Sequence, residues 1–487
     1  MRKKRILIGL TLAGVLILLA IVAGLVSDAN RWRGKFERSL GTALRARVRI
    51  GRAEGSLLLS RTVTLNQVEC LWDDGSSLSC RNASIVFGTV PALSRRLHVR
   101  EAILVEPDLK IVSSGEKRSG NGNAPPEPSP TRPSDERHEV SAPERLSVLS
   151  GRIFWTDPAS GTEYLATGIR ATASEIRCYA DGPGTLPSEV TFSAAVRVQH
   201  FQGNGIEVSD AVCAATAEHD TVTVRVSDGA LWGGHLSGRF ALKKKESAVT
   251  CTVNGTVSDL SAQSLLKSFS QQLSLQGAAS MSADASWTGT TVQKFLETVV
   301  GTVSLRGRDL YTPDLNLDEL LTRIERSTRF TLLDAGAYFF AGPLGAAVTK
   351  GRDLAALRSG GLGKDGYVRE LASVWQLGAG AADARDVALA TNASRIALKG
   401  KLDIVNRRFD SVRIASVDRN GIARFSQEVI GSFSEPKIER VHPVKALAQP
   451  LVSTVKAAGR LTGIARTKPF YSGSVMHPRQ KESRPAP

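Results

Sequence analysis

The chain has 487 residues, 42% of them hydrophobic and 23% charged, which excludes an intrinsically disordered protein and leaves room for two or three domains or one elongated body. The formal net charge of +16 calls for anionic partners, yet only 6% of residues are aromatic and no basic–aromatic cluster offers a base-stacking platform. A lipid surface therefore suits the charge better than nucleic acid does.

Residues 6–26, from Ile6, Leu7 and Leu10 through Leu16 and Leu18 to Val26, form 21 consecutive apolar or small positions with Thr11 as the only hydroxyl. At 1.5 Å per residue this run is about 31 Å long, enough to cross a bilayer core. Arg2, Lys3, Lys4 and Arg5 precede it and put the N-terminus in the cytoplasm, although Arg31, Arg33, Lys35 and Arg38 follow. A cleaved signal peptide ending near Ser27-Asp28-Ala29 is the competing reading, but its apolar core is usually shorter. Trp32, Phe36, Leu40 and Leu44 then recur every four residues, which predicts a short amphipathic helix at the membrane exit, with Trp32, Phe36, Arg31 and Arg33 at headgroup level.

From about residue 50 the period changes to two. Val190, Phe192, Ala194, Val196 and Val198 alternate with Thr191, Ser193, Ala195, Arg197 and Gln199. Val222, Val224 and Val226 repeat the scheme, as do Leu236–Leu242 and Val249–Val253, and later Ile396, Leu398, Gly400, Leu402 and Ile404 against Arg395, Ala397, Lys399 and Lys401. Such alternation predicts antiparallel strands with one apolar and one wetted face. Cys70 and Cys80 flank an Asp74-Gly75 turn, so either a cross-hairpin disulfide, if the register allows it, or five buried thiols fits the sequence.

Residues 113–144 hold six of the 20 prolines and read as a disordered linker. Helices are predicted over 261–269, over 292–299, over 317–324 with Asp314 as N-cap, and over 444–455 opened by Pro443. Residues 330–348 are nearly apolar, but Asp334, Pro343 and glycines argue for a buried or surface-dipping segment over a second span. The implied organisation is a basic tip and anchor over 1–29, a helix and N-terminal β segment over 30–112, and the linker over 113–144. A main β body follows over 145–310, then a helical and apolar insertion over 311–375, a C-terminal β segment over 376–440, and a helix and tail over 441–487.

The sequence carries no catalytic, metal or cofactor motif. GGLGKDG at 360–366 lacks phosphate-loop spacing, and neither HExxH, GxSxG nor CxxC occurs. The seven histidines are scattered, and Asp334 reads as a hydrogen-bonded turn or cap. Lys243–Lys245 closes a predicted strand as a solvated turn, with contact to anionic headgroups as the sharper alternative.

The order of anchor, short helix, SLLLSRTVTLNQVECLWDDGSSLSCRNASIVF and HVREAILVEPDLKIV resembles the AsmA-like family of bacterial envelope proteins. LSVLSGRIFWTDPASG, GAASMSADASWTGTTVQKFLETVVGTVSLRGRDLYTPDLNLDELL, IALKGKLDIVNRRFDSVRIASVD and VIGSFSEPKIE are similar to that family's later strands and helices. The resemblance implies a mainly β fold with minor α, in which an elongated, curved antiparallel sheet forms a groove related to bridge-like lipid-transfer proteins. It also implies a role in phospholipid transport or outer-membrane assembly, and the lack of a catalytic constellation in the sequence makes a non-enzymatic role the expectation. The protein is then single-pass in the bacterial inner membrane, with its bulk in the periplasm and phospholipid, an anionic membrane surface and an envelope protein as partners. Val190, Phe192, Val196, Val198, Ile396, Leu398 and Leu402 are the expected lipid-facing positions. A membrane-tethered β-sandwich serving as an interaction scaffold gives the same periodicity around a closed core and is the alternative.

Overall fold

The structure is a computed structural model that describes residues 29–55, 61–88, 99–113, 138–140, 142–158, 161–180, 189–245, 248–269, 274–326, 332, 365–439, 442–443 and 469–478. The predicted anchor, the apolar stretch around Asp334 and the helix predicted over 444–455 lie outside the described residues, save Leu332. Among the described residues no helix is long and apolar enough to cross a membrane. The protein is mainly β, and the chain divides into two compact units at Gly229/Ala230, inside the stretch read as one body.

The first unit opens with a single 3-10 turn, Ala29–Trp32, and helix α1, Arg33–Leu44. Strands β1 (Arg47–Gly55), β2 (Thr62–Leu71), β3 (Ser77–Phe87) and β4 (Val99–Val112) follow as an antiparallel meander. Phe36 and Leu40 of α1 pack on a core of Ile50, Val63, Leu65, Val68, Cys70, Cys80 and Phe87. The register pairs Val68 with Cys80 and Cys70 with Leu78, so the two cysteines are diagonal. Diagonal positions stand about 7–8 Å apart, beyond disulfide reach, and both thiols are free.

The sheet is not purely antiparallel as predicted. β4 pairs in parallel with β6 (Arg145–Asp157), from Glu101↔Arg145 to Val112↔Thr156. A parallel neighbour requires a crossover of a dozen or more residues, and the proline-rich stretch supplies that length. Its end is β structure: β5 (His138–Val140) pairs with the end of β7 (Thr162–Ala180). β7, β8 (Glu189–Gly203), β9 (Ile206–Glu218) and β10 (Thr221–Leu231) continue antiparallel. Asn204 and Gly205 both have positive φ (50° and 77°), the requirement of the two-residue hairpin between β8 and β9.

The second unit runs in sequence order: β11 (Gly234–Lys245), β12 (Ala248–Ser261), α2 (Ala262–Ser268), β13 (Ala278–Thr288), α3 (Val292–Thr298) and β14 (Val300–Thr312). Helix α4 (Leu317–Arg326) is capped by Asn316, whose Oδ1 accepts from the backbone N–H of Asp318 and Glu319 (both 3.1 Å); Asp314, the predicted cap, lies two residues upstream. Strands β15 (Gly366–Gly378), β16 (Ala381–Ala390), β17 (Arg395–Asp403), β18 (Arg408–Val417) and β19 (Ala423–Ser432) pair antiparallel. The short β20 (Pro436–Ile438) and β21 (His442–Pro443) flank β19.

Here the predicted alternation breaks down. Four consecutive residues of β17, Arg395 to Leu398, are all buried, so both of its faces are covered there. Arg395 and Ala397 had been expected on the wetted face. They are covered by residues 469–478, part of the predicted tail, whose Tyr471 and Val475 pack on Ala372, Ala388, Ala390, Ala397 and Ala415.

Candidate functional site

Several strands carry a residue in the left-handed backbone region near mid-strand: Gln67 in β2, Glu106 in β4, Ser150 in β6, Gly168 in β7 (which has a second at Glu175) and Asp210 in β9. The strand registers bring these positions to one level across the sheet. Each is a bulge-like step that bends its strand and shifts the inside–outside phase by one residue. In β2 the buried set therefore runs Val63, Leu65, then Val68, Cys70.

With that slip included, one face of β6–β9 is apolar throughout. β6 contributes Leu146, Val148, Ile153 and Trp155; β7 contributes Tyr164, Ala166, Ile169, Ala171 and Ala173. β8 and β9 add Phe192, Ala194, Val196, Val198 and Phe201 against Ala217, Ala215, Cys213, Ala211 and Val208. Trp155, Tyr164 and Phe201 make an aromatic ladder with centroids 5.2 and 6.1 Å apart. Opposite this face stand Arg170, Thr172 and Ser174 with Arg197, Ala195 and Ser193.

The face is apolar without being sealed. Ile153 and Val190 are 37% and 39% exposed, Phe192, Val196 and Val198 are half-buried, and the fully buried positions are few and scattered, such as Ile169 and Ala211. Among the described residues of the first unit, no second sheet packs on it. Face-to-face sheets interdigitate at close-packed density and would bury these side chains. The three other expected lipid-facing residues behave differently: Ile396 and Leu402 are fully buried and Leu398 nearly so, in the packed core of the second unit. Phe36 likewise packs on the β1–β3 core, whereas Trp32 stays partly exposed with Lys35 Nζ 3.9 Å from its ring centre.

The polar cluster that sequence reasoning missed lies in the second unit. Tyr471 Oη and Ser474 Oγ donate to Asp386 at 2.5 and 2.6 Å, Ser474 N–H donates at 3.2 Å, and the Arg306 guanidinium stands 3.2 Å away. Burial opposes the charge of Asp386, but those hydrogen bonds and Arg306 outweigh it and hold the carboxyl below its usual range. Burial and the Asp386 contact push the Tyr471 phenol well up, so it stays a donor. Arg395 donates to the carbonyls of Val475 (2.8 Å) and Asp418 (2.6 Å). At Gly473 a Cβ would meet Asp386 Oδ1 at 2.1 Å, so only glycine lets the chain approach this closely. Tyr471, Ser474 and one Arg395 N–H thus hold residues 469–478 on the sheet, while a second Arg395 N–H goes to Asp418 O. The signal was an aromatic–glycine phrase, PFYSGSV, in an otherwise polar tail.

An adjoining hollow of about 490 Å³ mixes Asp383, Arg385, Lys399, Lys401 and Asp410 with the hydroxyls of Ser411 and Ser472. Burial raises each of the five thiols above its ordinary pKa, which leaves little thiolate. Among the described residues no group of three or more His, Cys, Asp or Glu could hold a metal ion. No family model matches the chain, and neither a curated protein nor a solved structure matches it.

Proposed function

We propose that this chain is a membrane-anchored, AsmA-like envelope protein that shelters phospholipid acyl chains on the apolar face of β6–β9, in phospholipid transport or outer-membrane assembly. The anchor of residues 6–26 holds it in the inner membrane with the β units in the periplasm, where an envelope protein receives or supplies the lipid. No covalent chemistry is part of this role. The observation that carries the reading is the unsealed face itself: apolar patches of this extent on a soluble surface mark binding sites. Four strands about 4.8 Å apart make a face roughly 15–20 Å across, comparable to the ~15 Å of one leaflet of a 30 Å hydrocarbon core. The line of left-handed residues favours curvature of the sheet. A scaffold built on a closed sandwich needs that face covered, and its exposure weighs against that alternative.

The test is native mass spectrometry of the full chain extracted in mild detergent. The parent is expected to carry phospholipid, and Phe192→Asp with Val196→Asp to lose at least about tenfold of it, since a carboxylate in an apolar lipid site is strongly disfavoured. Repeated lipid-free preparations of the parent would end this reading.

A further inference from the structure

The second unit ends, on one rim of its sheet, in a row of hairpin tips. Lys243 pairs with Thr250 and Thr250 with Thr288; Ser286 pairs with Val300, Gly378 with Ala381, Ala381 with Asp403 and Asp403 with Arg408. From β11 to β18 this rim extends roughly 34 Å at about 4.8 Å per strand. Its apolar tips are uncovered: Val292 is 76% exposed, Val300 50% and Val405 37%. The tips are tied together, because the N–H groups of Ile404 and Val405 both donate to Gly380 O, and a Cβ on Gly380 would lie between Val405 and Leu296 O of α3.

The charge of the rim is one-sided. Lys243, Lys244, Arg407 and Arg408 are exposed, and among the described residues Lys243, Lys244 and Arg407 form no ion pair. The acids are fewer: Glu297 pairs with Lys294 at 2.9 Å, and Asp403, hydrogen-bonded by Asn406, has Arg408 as its cationic neighbour. The opposite rim mixes Asp309, Asp314 and Asp318 with Arg308, Arg369 and Arg419.

We infer that the rim carrying Val292, Val300 and Val405 among Lys243, Lys244 and Arg407 docks on an anionic phospholipid bilayer. Aliphatic tips bury at the headgroup–acyl boundary while the surrounding cations meet the lipid phosphates, a division of labour known from interfacial segments. A nucleic-acid surface would leave the valines without a partner. The inference deepens the lipid-handling role and rests on it for the source of the membrane, but not for the contact itself.

The full chain is held by its apolar segment in neutral phosphatidylcholine nanodiscs and mixed with vesicles of phosphatidylcholine alone or with added phosphatidylglycerol. Co-flotation is expected only with phosphatidylglycerol and is expected to weaken roughly tenfold or more in Lys243→Gln/Lys244→Gln/Arg407→Gln. Val292→Ser, on a residue too exposed to unfold the unit, is expected to weaken it severalfold. Variants that float like the parent, or equal binding to both vesicles, overturn the inference. Bound phospholipid is read in parallel: a lipid-loaded parent that ignores the anionic vesicles overturns the docking rim alone. A lipid-free parent that docks through the rim supports the rim and overturns the acyl-sheltering role.

Discussion

Asp386 shows how one residue decides where a tail goes. Its carboxylate gathers Tyr471, Ser474 and Arg306, groups far apart in sequence, onto one point. Because its folded-state pKa is depressed, it stabilises the seated segment above the ordinary aspartate pKa of about 4, and that contribution is lost as pH falls through the folded value. Hydrogen exchange at residues 471–476, scored as protection against the intrinsic rate at each pH, should therefore be strongly protected at neutral pH and lose that protection in acid. Tyr471→Phe should speed it at neutral pH and cost about 1–3 kcal/mol by leaving buried polar groups unpaired. The cysteines give a second prediction at this scale. Alkylation of denatured protein without reductant should add five groups, since the β2–β3 register keeps Cys70 and Cys80 apart. A Cys70–Cys80 bridge found in a peptide map of that protein would refute the register.

At the scale of elements, the outer edge of β1 is not left bare. Ile50 N–H donates to Glu37 Oε1 (2.9 Å), Ala53 N–H to Asn30 Oδ1 (3.2 Å), and Arg33 donates to Gly51 O (3.1 Å). Side chains of the N-terminal helical segment thus occupy the edge that another strand would otherwise pair with. Glu37→Ala with Asn30→Ala should cost about 1 kcal/mol per lost bond and promote self-association, measurable by sedimentation velocity. The same scale explains what strand periodicity concealed. In Leu65-Asn66-Gln67-Val68, Val257-Ser258-Asp259-Leu260 and Phe409-Asp410-Ser411-Val412, two apolar residues stand three apart, a helical interval, inside a strand. The left-handed backbone at Gln67, Asp259 and Ser411 absorbs the extra residue, so both apolar neighbours point to the same side. Short helices were legible from local apolar spacing, while their caps came from the structure: Ser261 and Thr291 accept from Ser264 and Lys294.

For the whole molecule, the two units should respond differently to the same kind of substitution. Leu398→Ala empties a packed site in the second unit and should cost about 2–5 kcal/mol in chemical denaturation. Val196→Ala removes half-exposed surface from the first unit and should cost less than about 1 kcal/mol. Similar costs at the two sites would mean that the β6–β9 face is packed after all.

The β-rich class, the cleanly alternating strands such as Val190–Val198 and three short helices were legible in the sequence by itself, because alternation and apolar spacing act over a few residues, whereas β15 begins inside the stretch read as a helical and apolar insertion. Val190–Val198 and Ile396–Leu402 carry the same alternation, yet the first face is left half-open and the second is buried. That difference, the parallel β4–β6 pair and the docking of residues 469–478 were decided only in the tertiary structure. Burial depends on what distant chain arrives to cover a face, and no local periodicity encodes that arrival.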